Sequence, residues 1–341
     1  MDSGNEIVGR AVTIYDVATA AGVAPSTVSR ALARPGRVSA VTAAKVRRAA
    51  AELGYQRSSA APTLPHAPSR RLAMLVADIA NPVFVEVIRG AEAAAEAADH
   101  SLVLIDTRES SVRERLVEPL LPMLDGLLLT SPRLSDSGIR MLAKQRPVVV
   151  LNRIVQGLPS VLTDSARGAR RAVEHLGALG HEEVTYLAGP EASWTDGVRW
   201  RSIQEAGMEL FLRTRRIGPQ EPTIQGGLRA ARRWAAQPTT AVVAFNDVMA
   251  IGFIQGLRAL GIEVPGEVSV VGFDNSQVGS LTTPALTSVA SPLRSQGATA
   301  TRNLLAIIGG ARPTSEPVLL PVKLVPRAST GKARPGRLVF R

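Results

Sequence analysis

The 341-residue sequence contains no cysteine. Disulfide bridges, thiolate metal sites and a cysteine nucleophile are thereby excluded, and a reducing compartment suits the chain. Long apolar runs are missing as well. The best candidate, residues 241–254, is interrupted by Asn246 and Asp247 and falls short of the roughly eighteen residues a membrane helix needs. Residues 1–10 carry Asp2 and Glu6 without an apolar stretch, which fits no secretory signal. A soluble, cytoplasmic protein with no membrane partner is expected. Neither GxGxxG nor GxxxxGK(S/T) occurs, and the four histidines, His66, His100, His175 and His181, lack metal-ligand spacing. The expectation is therefore a protein that is not an enzyme, with no catalytic residue, no metal and no cofactor.

What is present begins with a core: 45% of the residues are hydrophobic, ample for two or three domains. The net charge of +11 is unevenly placed. Residues 1–71 hold ten basic and four acidic side chains, residues 323–341 hold six basic and none acidic, and the body between them nets −1. A basic module beside a neutral one points to a polyanion at one end and a different task in the body. Arginine-rich termini that merely aid solubility are the competing reading.

Three short helical patterns open the chain. Thr13 is placed to cap a helix with Asp16 at its third position, and Ile14, Val17, Ala18 and Ala21 form an apolar stripe that Gly22 ends. Pro25 suits a first helical position, and Val28, Ala31 and Leu32 make a second stripe. Ser39 starts a third helix through Val46, Ala49, Ala50 and Leu53, with Gly54 as its stop. Two helices joined by a tight glycine turn and braced by a third make a helix-turn-helix. Residues 55–71 then turn to Ser, Ala, Pro and Arg, the texture of a linker. From Leu72 onward apolar strands (72–77, 102–105, 126–129, 148–151, 184–188, 241–245 and 268–273) alternate with amphipathic helices, including 83–98, 165–179, 248–260 and 295–308. This is an α/β pattern of parallel sheets, in two subdomains that break near Asp164, with a ligand cleft where loops at the carboxyl ends of the strands converge.

The second helix of a helix-turn-helix lies in the major groove with its first residues on base edges. Here those are Pro25, Ser26 and, one turn on, Arg30. Arginine bonds guanine O6 and N7 with both arms, so Arg30 is the leading reader and Ser26 a more tolerant one. Pro25 offers only apolar contact. Thr13, Tyr15, Thr27 and Ser29 are placed to bond phosphates, which sets register without reading sequence. An ordinary solvated helix is the plain alternative. The agreement of caps, turn and polar face argues against it.

The run Thr13-Ile-Tyr-Asp-Val-Ala, then Ala21-Gly-Val, Ser26-Thr-Val-Ser-Arg-Ala-Leu, Val38-Ser and Glu52-Leu-Gly-Tyr55 resembles the lactose and galactose repressor (LacI/GalR) family of transcriptional regulators. Asn81-Pro82 with Phe84, Asp125-Gly126-Leu, Leu179-Gly-His181, Phe245-Asn-Asp247, Met249-Ala-Ile-Gly252, Val264-Pro265, Val270-Val-Gly-Phe-Asp274 and Pro284-Ala-Leu-Thr287 continue the likeness. The resemblance implies an α/β fold: an N-terminal three-helix helix-turn-helix DNA-binding domain plus a two-subdomain, periplasmic-binding-protein-like effector domain with parallel sheets. It implies a homodimer or tetramer with a palindromic double-stranded DNA operator, each protomer reading one half-site, and a small-molecule effector. Tetramerisation through a helical bundle is not expected, because the tail after Val325 has no leucine heptad. In the family a leucine from a hinge helix wedges into the minor groove, and Leu64 matches it. Here Pro62 falls at the fourth residue of a helix capped by Ser58, where it costs about 3 kcal/mol, so a weak or shifted hinge helix is expected.

The expected organisation is an extension (1–11), the DNA-binding domain (12–57), a hinge or linker (58–71), the effector-binding and dimerisation domain (72–328) and a basic tail (329–341). Positions matching family ligand contacts are Asn81, Phe84, Asn152, Arg199, Asn246, Asp247 and Asp274, a set that suits a polyhydroxylated or heteroaromatic ligand. Asp247 is equally placed to cap a helix beginning at Val248, and Asn81 to shape the turn before Pro82. Trp194 is a candidate for stacking on the ligand, or simply a half-buried loop residue. A sugar or sugar derivative is favoured over a nucleobase, since Val83 stands where an additional aromatic is expected and residues 219–227 hold no aromatic. The expected function is a sequence-specific DNA-binding regulator, a repressor by preference, whose operator affinity the effector controls. The alternative is a cytoplasmic sugar-binding sensor without operator-specific DNA binding.

Overall fold

The computed structural model describes residues 13–33, 38–53 and 69–334. The extension 1–11, Gly54, the hinge residues Ser58, Pro62 and Leu64, and tail residues 335–341 lie outside the described residues. The chain divides into two compact units between His66 and Ala67.

In the first unit Thr13 precedes α1 (Ile14–Ala21), and the Asp16 carboxylate accepts from the Thr13 backbone N–H at 2.7 Å. Gly22 ends the helix at φ +61°, a left-handed turn that a side chain would strain. That turn leads directly into α2 (Pro25–Ala33). Ser39 caps α3 (Ala40–Glu52), its hydroxyl accepting from the Thr42 N–H. Val17, Ala21, Val28 and Val46 are fully buried between the three helices. Each buried valine is worth about 1.5 kcal/mol or more, and such small side chains let the short helices approach closely.

The second unit alternates strands and helices. Its first half runs β1 (Arg71–Val76), α4 (Pro82–Glu96), β2 (Ser101–Asp106), α5 (Ser111–Glu114), a 3-10 helix (Arg115–Met123), β3 (Gly126–Thr130), α6 (Asp136–Ala143), β4 (Val148–Leu151) and β5 (Ser160–Thr163). Its second half runs α7 (Ser165–Ala178), β6 (Glu183–Leu187), α8 (Trp194–Glu209), β7 (Arg213–Ile217), α9 (Ile224–Trp234), β8 (Ala241–Ala244), α10 (Asp247–Ala259), β9 (Ser269–Asp274), α11 (Gln277–Leu281), β10 (Thr287–Ala290), α12 (Leu293–Ile308), β11 (Val318–Leu320) and β12 (Lys323–Val325). Among the described residues these strands form two six-stranded sheets, ordered β11-β5-β4-β3-β1-β2 and β12-β10-β9-β8-β6-β7. All pairings are parallel except β10 with β12. Strands such as β1 and β3 are buried on both faces, which is why they read as unbroken apolar runs.

The chain crosses between the sheets at Asp164, as the sequence pattern indicates, and crosses twice more, between β10 and α12 and between β11 and β12. Helix α12 therefore belongs to the first subdomain although it follows the second in sequence, and it packs on α4. Gly90 and Gly297 permit that contact: a Cβ on Gly90 would stand 1.9 Å from the Arg294 carbonyl oxygen, and one on Gly297 1.9 Å from that of Val87. The tail expected to start at residue 329 also begins later than its composition indicates. Ser329 is fully buried and donates to the Val270 carbonyl at 2.6 Å, and the Ala333 N–H reaches the Leu179 carbonyl at 2.8 Å. His181 clasps the same strap, with Nε2 2.9 Å from the Ser269 hydroxyl and 3.2 Å from the Gly331 carbonyl, and His175 meets Thr330 at 3.0 Å. Both histidines are packing residues.

Candidate functional site

Two regions gather the residues expected to act. On the helix-turn-helix, Ser26, Ser29 and Arg30 are exposed along α2 and Tyr15 is 68% exposed on α1, while Pro25 and Thr27 are half-buried. The Arg30 guanidinium lies back along its own helix, Nε donating to the Ser26 carbonyl at 3.1 Å and the terminal nitrogen to the Ser26 hydroxyl at 3.2 Å. The two expected base readers thus form one exposed, hydrogen-bonded pair. Thr13 is differently engaged: its hydroxyl donates to Asp16 at 2.6 Å, so its first role is the cap. Leu64 lies outside the described residues.

The second region is the cleft between the two sheets. Its first wall comes from loops at the carboxyl ends of the first sheet: Asn81 and Phe84 after β1, Glu109 after β2, Ser131 and Arg133 after β3, and Asn152 after β4. Its second wall is Ser193, Thr195 and Arg199 around the start of α8, Phe245 and Asn246 after β8, and Asp274 at the end of β9. Glu109, Ser131, Asn152 and Asp274 all have positive φ (57°, 53°, 60° and 100°). None is glycine, and such backbone strain collects where side chains must be aimed into a site.

Arg199 is the centre of the second wall. Its guanidinium carbon sits 3.9 Å from the Phe273 ring centre and 5.0 Å from that of Phe245. It donates to the Phe245 carbonyl, and its other terminal nitrogen is 3.8 Å from Asp274. Its Nε is buried without a protein partner, a donor available to a bound molecule. The turn that presents it is fixed by Asp196, which accepts from the Tyr186 hydroxyl at 2.8 Å, the Gly189 N–H at 2.7 Å and Arg216 at 2.5 Å.

Burial sets the charges here. Asp274 is pushed up to about 6 by desolvation, against the pull of Arg199. Asp247 reaches about 7 through desolvation and then the neighbouring Asp274 charge, against hydrogen bonds from Ser288 and Ser276. A carboxyl raised in the fold above its unfolded value of 3.8 binds protons more tightly when folded, so its stability cost is complete above about pH 7 and is relieved on acidification. His175 and His181, lowered by burial, act oppositely but only below about pH 6.5. Between pH 8 and 6.5, Asp247 should therefore raise the unfolding free energy by about 1 kcal/mol, and Asp247→Asn should remove that rise. Denaturant titrations at both pH values check it; parallel profiles for the two proteins would refute it.

The cleft brings together six of the eight expected effector residues: Asn81, Phe84, Asn152, Arg199, Asn246 and Asp274. Trp194 does not line it. Ser193 caps α8 by accepting from the Asp196 N–H, which makes Trp194 the first helical residue, half-buried, and puts Ser193 and Thr195 on the wall instead. Asp247 is fully buried and accepts from the Ser276 N–H and the Ser288 hydroxyl, both at 2.6 Å. Nor does it cap the helix; Asn246 does, accepting from the Met249 N–H at 2.9 Å. Asn81 caps α4 through its Oδ1, which bears out the structural reading of that residue, and it also lines the cleft. Sequence reasoning missed Glu109, Ser131 and Arg133. Each lies within a few residues of a strand's carboxyl end, the signal that could have found them.

With this geometry in hand, similarity to known proteins is extensive. Residues 13–58 match the model of bacterial regulatory proteins of the lacI family, and residues 173–330 that of the periplasmic binding protein-like domain. The HTH-type transcriptional regulator DegA of Bacillus subtilis is 31% identical over 335 residues, covering 93% of this chain and 98% of that protein. Among solved structures, the lac repressor dimer bound to operator and the anti-inducer ONPF superposes with a TM-score of 0.71 at 28% identity over 94% of this chain and all of that one. The complex of the transcriptional regulator CelR with cellobiose gives 0.70 at 28% identity, covering 93% and 99%.

Proposed function

The chain belongs to the lacI family of bacterial regulatory proteins, and on that premise we propose that it reads a palindromic operator as a homodimer, in the cytoplasm, and answers to a sugar or sugar derivative held in the cleft. As a member of that family it is a DNA-binding transcriptional regulator under effector control, and not an enzyme. The proposal concerns the ligand class, the assembly and the residues. Arg30 and Ser26 read bases, with Pro25 in apolar contact; Tyr15, Thr27 and Ser29 hold phosphates, and Thr13 sets the helix end among them. On the ligand side Asn81, Phe84, Asn152, Arg199, Asn246 and Asp274 bind the effector.

The observation that carries this reading is the second wall of the cleft. A buried arginine clamped between two phenyl rings beside a carboxylate is an array of fixed donors and acceptors next to apolar faces, which is how polyhydroxylated molecules are recognised. The cellobiose held in the similar CelR structure supports the same class. The experiment is selection of genomic fragments by the purified full chain, followed by footprinting of the recovered sites with and without the sugars that neighbouring genes handle. Two dyad-related half-sites, for which affinity changes at least about fivefold with one such sugar, are expected. Binding that is indifferent to sequence, or to every such sugar, would overturn it.

A further inference from the structure

Gln296 lies outside every group considered above, yet it touches the first wall from behind. It is fully buried in the first turn of α12, next to the Gly297 contact that seats this helix on α4. Its Nε2 donates to the Val161 carbonyl at 3.2 Å and to the Asn152 Oδ1 at 2.7 Å. Asn152 Nδ2 in turn donates to the Ser131 hydroxyl oxygen at 3.2 Å. Asn152 and Ser131 both line the cleft; Gln296 does not.

The polarity of this chain is not free. A backbone carbonyl can only accept, and Val161 also takes the Asn152 backbone N–H at 3.2 Å, so the Gln296 amide must keep its NH₂ end there. With that end fixed, Asn152 must offer its oxygen to Gln296 and its NH₂ group to Ser131. The Ser131 oxygen is then occupied by a donor, which leaves its own proton for the cleft, along with the second N–H of Asn152 Nδ2. Asn81 agrees: its Oδ1 is used on the Val83 N–H at 3.2 Å, leaving its NH₂ free. The cost of the arrangement is visible in the Gln296 Oε1, buried without a partner.

We propose that Gln296 is the positioning residue that fixes the Asn152–Ser131 part of the first wall as a hydrogen-bond donor surface, by holding both side chains with their protons toward the ligand. The ligand edge that meets this wall is accepting: a ring or carbonyl oxygen, or hydroxyls that keep their own protons for Asp274 on the opposite wall. This rests on the reading that the cleft takes the effector.

The test has a ligand-free arm and a ligand arm, both on the full chain. Side-chain amide NMR, with Asn152 assigned through Asn152→Ala, measures exchange of the Asn152 NH₂ protons with solvent. For the proton bonded to Ser131, exchange at least about tenfold slower than for an exposed amide, rising to the exposed rate in Gln296→Met, is expected. An Asn152 signal that is solvent-like in the wild type, or unchanged in Gln296→Met, overturns the proposal. Should Gln296→Met fail to fold, Ser131→Ala serves: it must speed exchange of one Asn152 proton only, and no change overturns the proposal. In calorimetry with D-ribose as the probe, Gln296→Met should weaken binding about tenfold and add nothing when Asn152 is already Ala; additive losses count against it. If D-ribose does not bind the wild type, it is the choice of sugar that fails, and the amide exchange still decides the polarity.

Discussion

Replacing Arg199 by methionine is expected to lower effector affinity at least about thirtyfold, because truncating one partner of a buried, hydrogen-bonded charge pair costs about 2–5 kcal/mol. Methionine keeps much of the volume between Phe245 and Phe273, so the loss is chemical more than steric. It removes the donor to the Phe245 carbonyl, the buried Nε and the charge beside Asp274. Asp274, already pushed up to about 6 with the arginine in place, rises further without it and takes a proton nearer neutral pH. Lysine does not rescue the site, since an ammonium has neither the planar face that stacks on two rings nor the forked donors. Calorimetry with the effector and a gel-shift with operator DNA check this together. The ligand response should vanish while effector-free operator affinity stays within about twofold, because Arg199 shares no partner with the DNA-reading helices α1 to α3. Effector affinity that survives the substitution would take Arg199 out of the site.

Arg30→Ala lowers affinity for the cognate operator about 5- to 150-fold, the 1–3 kcal/mol carried by a bidentate arginine on guanine, and leaves affinity for unrelated DNA nearly unchanged. The intrahelical bonds from Arg30 to Ser26 do not oppose this. They are exposed to water, so exchanging them for base contacts costs little. If Arg30 reads a base, as proposed, and not a phosphate, the salt dependence of binding keeps its slope. Competition binding at several salt concentrations separates the outcomes. An equal loss on cognate and unrelated DNA would reassign Arg30 to the phosphate backbone.

How far such sites can be read from sequence depends on which physical signals survive in a one-dimensional string. The three N-terminal helices are legible because Thr13, Gly22, Pro25 and Ser39 mark ends by local chemistry alone. Strands β1, β3, β4, β8 and β9 are legible because burial on both faces leaves continuous apolar runs. Strand β7 is not: it lies at the edge of its sheet and carries Arg213, Arg215 and Arg216, so no apolar run exists to find. Strand β10 hides for the opposite reason. Thr287 and Ser288 are fully buried but polar, satisfied by Ser329, Thr330 and Asp247. The later crossings between sheets leave no local mark either, which is why α12 could not be assigned to the first subdomain and why Gln296 passed unnoticed.

The cleft shows the same division. Asn81 and Asp274 stand at a helix start and a strand end that the pattern locates, while Arg199 follows a strand and a loop on a helix the pattern does not mark. Trp194 and Asp247 share those locations, but whether a side chain lines the wall is decided by one step of helical rotation, set by the caps Ser193 and Asn246. Glu109 and Arg133 face each other across two loops, Arg133 Nε donating to Glu109 at 2.7 Å, a pairing that only the folded sheet creates.

Operator reading and occupancy of this cleft are expected to be coupled within one chain. Coupling is reciprocal, so the factor by which the effector changes operator affinity must equal the factor by which operator changes effector affinity. Titrating the selected operator with and without effector, and the effector with and without operator, measures both. Equal factors of about 5 to 150 are expected, reduced to one in Arg199→Met. A ligand that fills the cleft while operator affinity stays unchanged would contradict it.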